Sequence, residues 1–362
     1  MRPFEAELTW LKRAGIALTI AVGTVAGCGE ERDPATGPNA ADAPAAVAAT
    51  VGTEEIDTAL AATESYLASG QITEAEAIIA VLVRKAPDHA RAREMYGRVL
   101  LSRAIASAQA GDSEAASDHF KAAYDQYDAA TALESDSAGL HQSAGEIAHS
   151  VGLMDEALRH YRLAGQLDPL DMRPPLYEAQ VLIAQGGLDD AEAALNRVLA
   201  LDPDEPVAHG SLAMVALGRE DYASALEHIA QARRISPHDL RFRAQEAKIH
   251  RRRGEPREAL QLLVGLSAAE RVDAAVTFEI GTSYGLVGEH ERAAEAWEHR
   301  LKSVPEAPDA AVTAARAGAE RLKAGQREQA WFWLERARLL APDAPEVVAL
   351  ERALGEGGGG GD

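Results

Sequence analysis

Along most of this chain apolar residues return every three or four positions, the spacing of one buried helix face. The apolar stretches come in pairs. Residues 172–205, MRPPLYEAQVLIAQGGLDDAEAALNRVLALDPDE, hold two such runs, broken at Gly186 and closed by Pro203. Glycine adopts the left-handed geometry that ends a helix, and proline stops the second helix and fixes the following turn. The closing proline recurs at Pro169, Pro203, Pro237 and, two periods on, Pro305, a spacing of 34 residues. Two places before it stand Leu167, Leu201 and Ile235, with Ser303 the exception. A helix pair of that length cannot bury its own apolar face and must stack on copies of itself. The pattern predicts an all-α fold, a right-handed α-solenoid of about eight helical hairpins.

The same positions are filled down the chain. Residues 138–171 carry Gly145, Gly152, Ala157, Tyr161, Ala164 and Pro169, and residues 172–205 carry Ala179, Gly186, Ala191, Leu195 and Pro203. Residues 206–239 supply Leu212, Ala213, Tyr222, Ala225, Ile229, Ala232 and Pro237. Residues 274–307 supply Ile280, Gly281, Tyr284, Gly288, Ala293, Trp297 and Pro305. This order of small, Gly, Ala, large apolar and Pro positions resembles the tetratricopeptide repeat family. Weaker copies run over 56–89, over 240–273, where Arg271 replaces the expected proline, and over 311–344. The stretch 90–137 is 48 residues long, 14 more than its neighbours. With Gly111 as its turn, about seven extra residues fall in each helix, either as plain length variation or as a docking ridge carrying Phe120, Tyr124 and Tyr127.

Composition narrows the function. Apolar residues make up 47 % and aromatics 5 %, so the core is expected to be built from Ala and Leu, which let helices cross closely. The net charge of −21 argues against a nucleic-acid partner, because neutralising phosphates requires a basic surface. Cys28 is the only cysteine, which rules out an intrachain disulfide and a cysteine metal cluster.

Residues 1–27 read as a secretory signal: Arg2, Lys12 and Arg13 precede an apolar run of 14 residues from Ala14 to Gly27. That run is short of the roughly 20 residues a spanning helix needs. Its end, Val25-Ala26-Gly27-Cys28, resembles the lipobox of bacterial lipoproteins, which implies cleavage before Cys28 and acylation of that residue. The alternative is an ordinary signal or a short uncleaved anchor. Gly29 follows the cysteine, which by the sorting rule favours the outer membrane over the inner. Residues 28–55, rich in Ala and Pro, are expected to form a disordered tether between the lipid and an array over 56–344. A polar-backed helix over 345–354 should cap the array, and 355–362 form a Gly-rich tail.

No catalytic or metal-binding motif appears, so neither an enzyme nor a cofactor is expected. His141 and His209 share one repeat position and are expected to be core histidines. In the resembled family the first helix of each hairpin lines a concave groove that holds extended peptides. By position, that groove would present Leu176, Tyr177, Gln180, Ile183, Met214 and Leu217, then Arg241, Gln245, Lys248, Arg251 and Arg252. An apolar stretch beside a basic one in so acidic a chain fits an anionic partner segment with apolar anchors. The competing reading of the basic residues is a solvated helix end. Together these features imply a lipid-anchored interaction scaffold of the bacterial cell envelope, or else a periplasmic chaperone that holds exported chains.

Overall fold

The computed structural model describes residues 52–356, so the signal, the lipobox at Cys28, nearly all of the tether and most of the Gly-rich tail lie outside the described residues. Among the described residues there are seventeen α-helices, one short 3₁₀ turn and no strand. None of these helices is long and apolar enough to cross a membrane.

The helices fall into two compact units, one ending at Pro169 and the other starting at Leu170. The N-terminal unit holds three hairpins: α1 (Thr53–Ala68) with α2 (Ile72–Lys85), α3 (Ala90–Gln109) with α4 (Ser113–Leu133), and α5 (Ala138–Ser150) with α6 (Met154–Leu167). The C-terminal unit holds five: α7 (Arg173–Gln185) with α8 (Leu188–Leu201), α9 (Pro206–Gly218) with α10 (Tyr222–Ile235), α11 (Leu240–Arg252) with α12 (Pro256–Val264), α13 (Ala274–Leu286) with α14 (His290–Ser303), and α15 (Ala310–Lys323) with α16 (Arg327–Leu340). A last helix, α17 (Pro345–Glu356), buries Val347, Leu350 and Leu354 against α15 and α16.

Alanine builds the crossing points. Ala157, Ala191, Ala225, Ala293 and Ala330, one per hairpin at the same repeat position, are all fully buried. A second rule governs the residue that faces them. Where the first helix carries Ala179, Ala213 or Ala247, the second carries Leu195, Ile229 or Leu263 sixteen places later. Where the first helix carries Gly145 or Gly281, the residue at that offset is Tyr161 or Trp297, and the ring lies in the space a Cβ would need. In the long hairpin Gly97 faces Tyr127 in the same way, with the extra turns inserted between them. Volume is thus conserved across these crossings as close packing requires, while in the last hairpin Gly318 has Leu334 at that offset and the space its Cβ would need is taken by Leu350 of α17.

The long hairpin is lengthened as its spacing predicts, α3 having 20 residues and α4 having 21 against 13 and 14 in the next pair. Its aromatic residues do not form a docking ridge. Phe120, Tyr124 and Tyr127 are all buried, because the added turns continue the amphipathic pattern and turn these rings inward.

Two histidines sit as core residues in the N-terminal unit. His141 Nε2–H donates to the carbonyl of Ser135 at 3.2 Å, so its Nδ1 accepts from Nδ1–H of His160 at 3.0 Å. His160 Nε2 lies 3.0 Å from Arg159 Nη2 and 3.2 Å from Asp128 Oδ1, and Arg159 also holds Asp128 at 2.7 Å. Burial and the Arg159 charge push the His160 pKa down to about 4. His209 repeats the first of these contacts, its Nε2 bonding the carbonyl of Pro203 at 3.0 Å. Its Nδ1 is buried without a hydrogen-bond partner, so it is only half satisfied.

Candidate functional site

In the C-terminal unit the first helices of successive hairpins, α7, α9, α11, α13 and α15, carry the sequence-predicted groove residues and their equivalents. Leu176, Tyr177, Gln180 and Ile183 are half-buried on α7, as is Met214 on α9. Leu217 departs from expectation. It is 5 % exposed and packs into a core cluster with Ala213, Ala216 and Ile229 because the α9 face is apolar nearly all round, so it offers nothing to a partner.

The basic residues of α11 divide into two kinds. Arg241 is committed to its own helix end: Asp239 caps α11, and the Arg241 guanidinium grips the same carboxylate at 2.6 Å. Arg173 and Asp171 repeat this clamp at the start of α7, and in both the arginine holds the carboxyl below its ordinary pKa. Arg251 is also committed. It makes a bidentate pair with Glu279 on α13, at 2.6 and 3.1 Å, with the two side chains 15 % and 5 % exposed. It is therefore a buried strut between neighbouring first helices and not a free cation, as its spacing had implied. The sequence hid this because Glu279 lies 28 residues away, in the following unit. Lys248 and Arg252, one turn apart on α11, make no ion pair among the described residues. Arg252 is exposed and Lys248 half-buried. Gln245 places its amide oxygen against Gly210, buried and without a hydrogen-bond partner.

The strongest feature of this face was missed at the level of spacing. Phe278 on α13 lies between two guanidiniums, Arg251 at 5.6 Å and Arg316 at 4.8 Å from the ring centre. Arg316, on α15, in turn pairs with Glu346 at 3.2 Å. Eight residues further along α13 stands Leu286, 60 % exposed. A half-buried ring framed by cations, an exposed leucine and two uncommitted basic residues make an amphipathic landing face. Phe278 and Arg316 were legible only as repeat-position residues, because their juxtaposition spans two units.

The irregular unit 240–273 leaves a mark on the opposite side of α13. α12 has 9 residues where the other second helices of the C-terminal unit have 14, and it stops at Val264. The turn that would follow is replaced by the 3₁₀ segment Glu270–Val272. The shortfall opens a cleft of about 240 Å³ lined by Arg271, Ile280, Tyr284, Arg292, Glu295, Ala296 and His299. Arg271, standing where proline is expected, ties the loop by donating from Nε to the carbonyl of Leu266 at 2.9 Å. Among the described residues no cluster of His, Cys, Asp or Glu has the arrangement to hold a metal ion.

The tetratricopeptide-repeat family profiles match residues 60–126 and 176–239, and a second profile of the same name matches 216–277. The chain is a tetratricopeptide-repeat protein. A tetratricopeptide repeat-containing protein of Treponema pallidum (strain Nichols) is 32 % identical over 126 residues, 32 % of this chain and 15 % of the relative. The human DnaJ homolog subfamily C member 3 is 28 % identical over 131 residues, 32 % of this chain and 26 % of that protein. The chain thus spans about a quarter or less of these relatives' length. In the solved structures, a tetratricopeptide repeat protein from Parabacteroides merdae aligns over 83 % of this chain and 99 % of its own, with a TM-score of 0.53 and 13 % identity. That likeness is one of fold. Tetratricopeptide repeats serve protein–protein contact and peptide binding, and this chain has the architecture for it.

Proposed function

We propose that this tetratricopeptide-repeat protein is a lipid-anchored scaffold of the bacterial cell envelope that binds a protein partner through an extended segment. The segment lies on the first-helix face of the C-terminal unit and combines anionic residues with apolar anchors. The observation that carries this reading is Phe278, framed by Arg251 and Arg316, with exposed Leu286 eight residues further along α13 and the uncommitted Lys248 and Arg252 on α11. An apolar side chain of the partner would meet Phe278 and Leu286, and carboxylates would meet Lys248 and Arg252. The lipobox-like end at Cys28 supports the anchoring, since an acylated cysteine would moor the array to a membrane.

The test uses the full chain purified from envelope membranes with its bound partner. Lys248→Glu with Arg252→Glu should lower partner recovery at least about tenfold and leave the far-UV circular dichroism unchanged. Arg251 is left alone, since reversing it would place two carboxylates together in a buried site. In the same preparation Cys28→Ala should move the protein to the soluble fraction. Unchanged recovery with the charge-reversed variant removes the groove assignment. Membrane retention of the Cys28 variant removes the lipid anchor. Weak recovery of many unrelated unfolded chains, in place of one partner, would favour a holdase.

A further inference from the structure

The loop that replaces the end of α12 is held firmly around its cleft. Ser267 Oγ–H donates to the Glu270 carboxylate at 2.6 Å, and Thr277 Oγ1–H donates to the carbonyl of Arg271 at 2.7 Å. His299 Nε2–H donates to the carbonyl of Ala268 at 3.1 Å, and Arg300 binds the carbonyl of Val272. Arg300 is itself fixed by a bidentate pair with Asp309, at 2.7 and 3.0 Å. Several polar groups lining the cleft stay outside this network. Arg271 commits only the Nε of its guanidinium, to Leu266, and neither Nη has a partner among the described residues. Glu295 makes no hydrogen bond or ion pair there, although Arg292 stands three places before it on α14. Arg292 turns instead to Glu289 at 2.6 Å and lies over the Tyr284 ring, 5.9 Å from its centre. The hydroxyl of half-buried Tyr284 is also without a hydrogen-bond partner among the described residues. The cleft therefore holds one uncommitted cation, Arg271, and one uncommitted anion, Glu295, and no ion pair joins them.

We infer that this cleft binds a free apolar α-amino acid. Arg271 takes the carboxylate, Glu295 takes the ammonium, and Ile280, Ala296 and the Tyr284 ring receive the side chain. A ligand with a single charge leaves Arg271 or Glu295 without a partner. The first residue of a peptide has only the ammonium and the last only the carboxylate, so neither chain end satisfies both. Size points the same way. The cleft of about 240 Å³ lies below the roughly 300–1,000 Å³ of sites for drug-sized molecules, on the scale of one amino acid. Because the loop is tied before any ligand arrives, little ordering opposes binding. The site lies on the other side of α13 from Phe278, so its ligand does not compete with a segment on the first-helix face.

Isothermal titration calorimetry of the full chain with L-leucine, L-valine and L-phenylalanine tests the assignment. The best of the three should bind with a Kd below about 1 mM. Its analogues lacking one charge, which for leucine are 4-methylpentanoate and 3-methylbutylamine, should bind at least about tenfold more weakly. Glu295→Gln should weaken the amino acid about tenfold and leave the carboxylate analogue within about threefold. Arg271→Gln should weaken both by about tenfold or more and leave the amine analogue within about threefold. Arg271 also ties the loop, so Glu295→Gln, at an exposed position on α14, is the deciding variant. No binding of any of the three at about 10 mM overturns the proposal. So does an analogue that binds as tightly as its parent, or a Glu295→Gln variant that loses the amino acid and the carboxylate analogue alike. Tighter binding of O-phosphoethanolamine than of any amino acid also overturns it, since the site would then fit a lipid headgroup.

Discussion

Gly281 and Trp297 occupy one space between them. A Cβ on Gly281 would fall on the indole of Trp297, so Gly281→Ala forces the ring out of place, at about 1–3 kcal/mol for overpacking. Trp297→Leu alone leaves a cavity and should cost a comparable amount or more. The double variant recreates the pairing of Ala247 with Leu263 found two helices earlier. We expect it to recover most of the loss, as read by thermal unfolding of the two singles and the double. The sequence displayed both residues at their repeat positions, and it marked Gly281 only as small. That glycine and aromatic residue are exchanged together for alanine and aliphatic residue emerges once the helices are seen to cross.

The helix ends obey a simpler rule and contain one exception. The turn between the helices of a hairpin is made by a left-handed residue, which is Gly70, Gly111, Gly152, Gly186, Gly254, Gly288 and Gly325 in seven hairpins. In the eighth, after α9, it is Glu220 with φ of 60°. The left-handed region crowds a Cβ against the backbone and costs roughly 1–2 kcal/mol. Glu220→Gly should therefore stabilise the protein by about 1 kcal/mol, measured as a rise in the denaturant midpoint. The sequence made this visible, since Glu220 falls 34 residues after Gly186 and 34 before Gly254. α11 shows the opposite case. Its run of basic residues reads from sequence as one surface, yet Asp239 and Glu279 take two of its arginines out of play. Charge along a helix is local information. Its neutralisation is decided by the neighbouring helix.

Acid should destabilise the whole protein through the N-terminal unit first. His160 is held neutral by burial and by Arg159, with a folded-state pKa of about 4 against roughly 6.5 when unfolded. Between those values the unfolded chain binds a proton that the folded one excludes, so stability is lost as pH falls from about 6.5 to 4. His149 and His228 are also held low by burial, and they add to the same trend. Carboxylates such as Asp171 and Asp239, lowered by their arginine clamps, keep their contribution down to more acidic pH and lose it below the ordinary carboxylate range. Denaturant midpoints at pH 7 and pH 5 should differ in the unmodified protein, and His160→Leu should narrow that difference without abolishing it. An unchanged difference would mean that the His141–His160 contact does not carry the proton linkage.

Periodicity, proline spacing and the positions of small residues determined the helical hairpins, their number and the extra turns of the third and fourth helices. These follow from local backbone preference and from the need of each short amphipathic pair to stack on a copy. Which side chains remain available was decided only when the units packed. Arg251 became a strut, Leu217 and the aromatic residues of the long hairpin turned inward, Phe278 gained two guanidiniums, and Phe332 and Leu339 were left in solvent. Each of these outcomes depends on residues about one repeat away, where the chain's own pattern sets the neighbour's position but not the chemistry it brings.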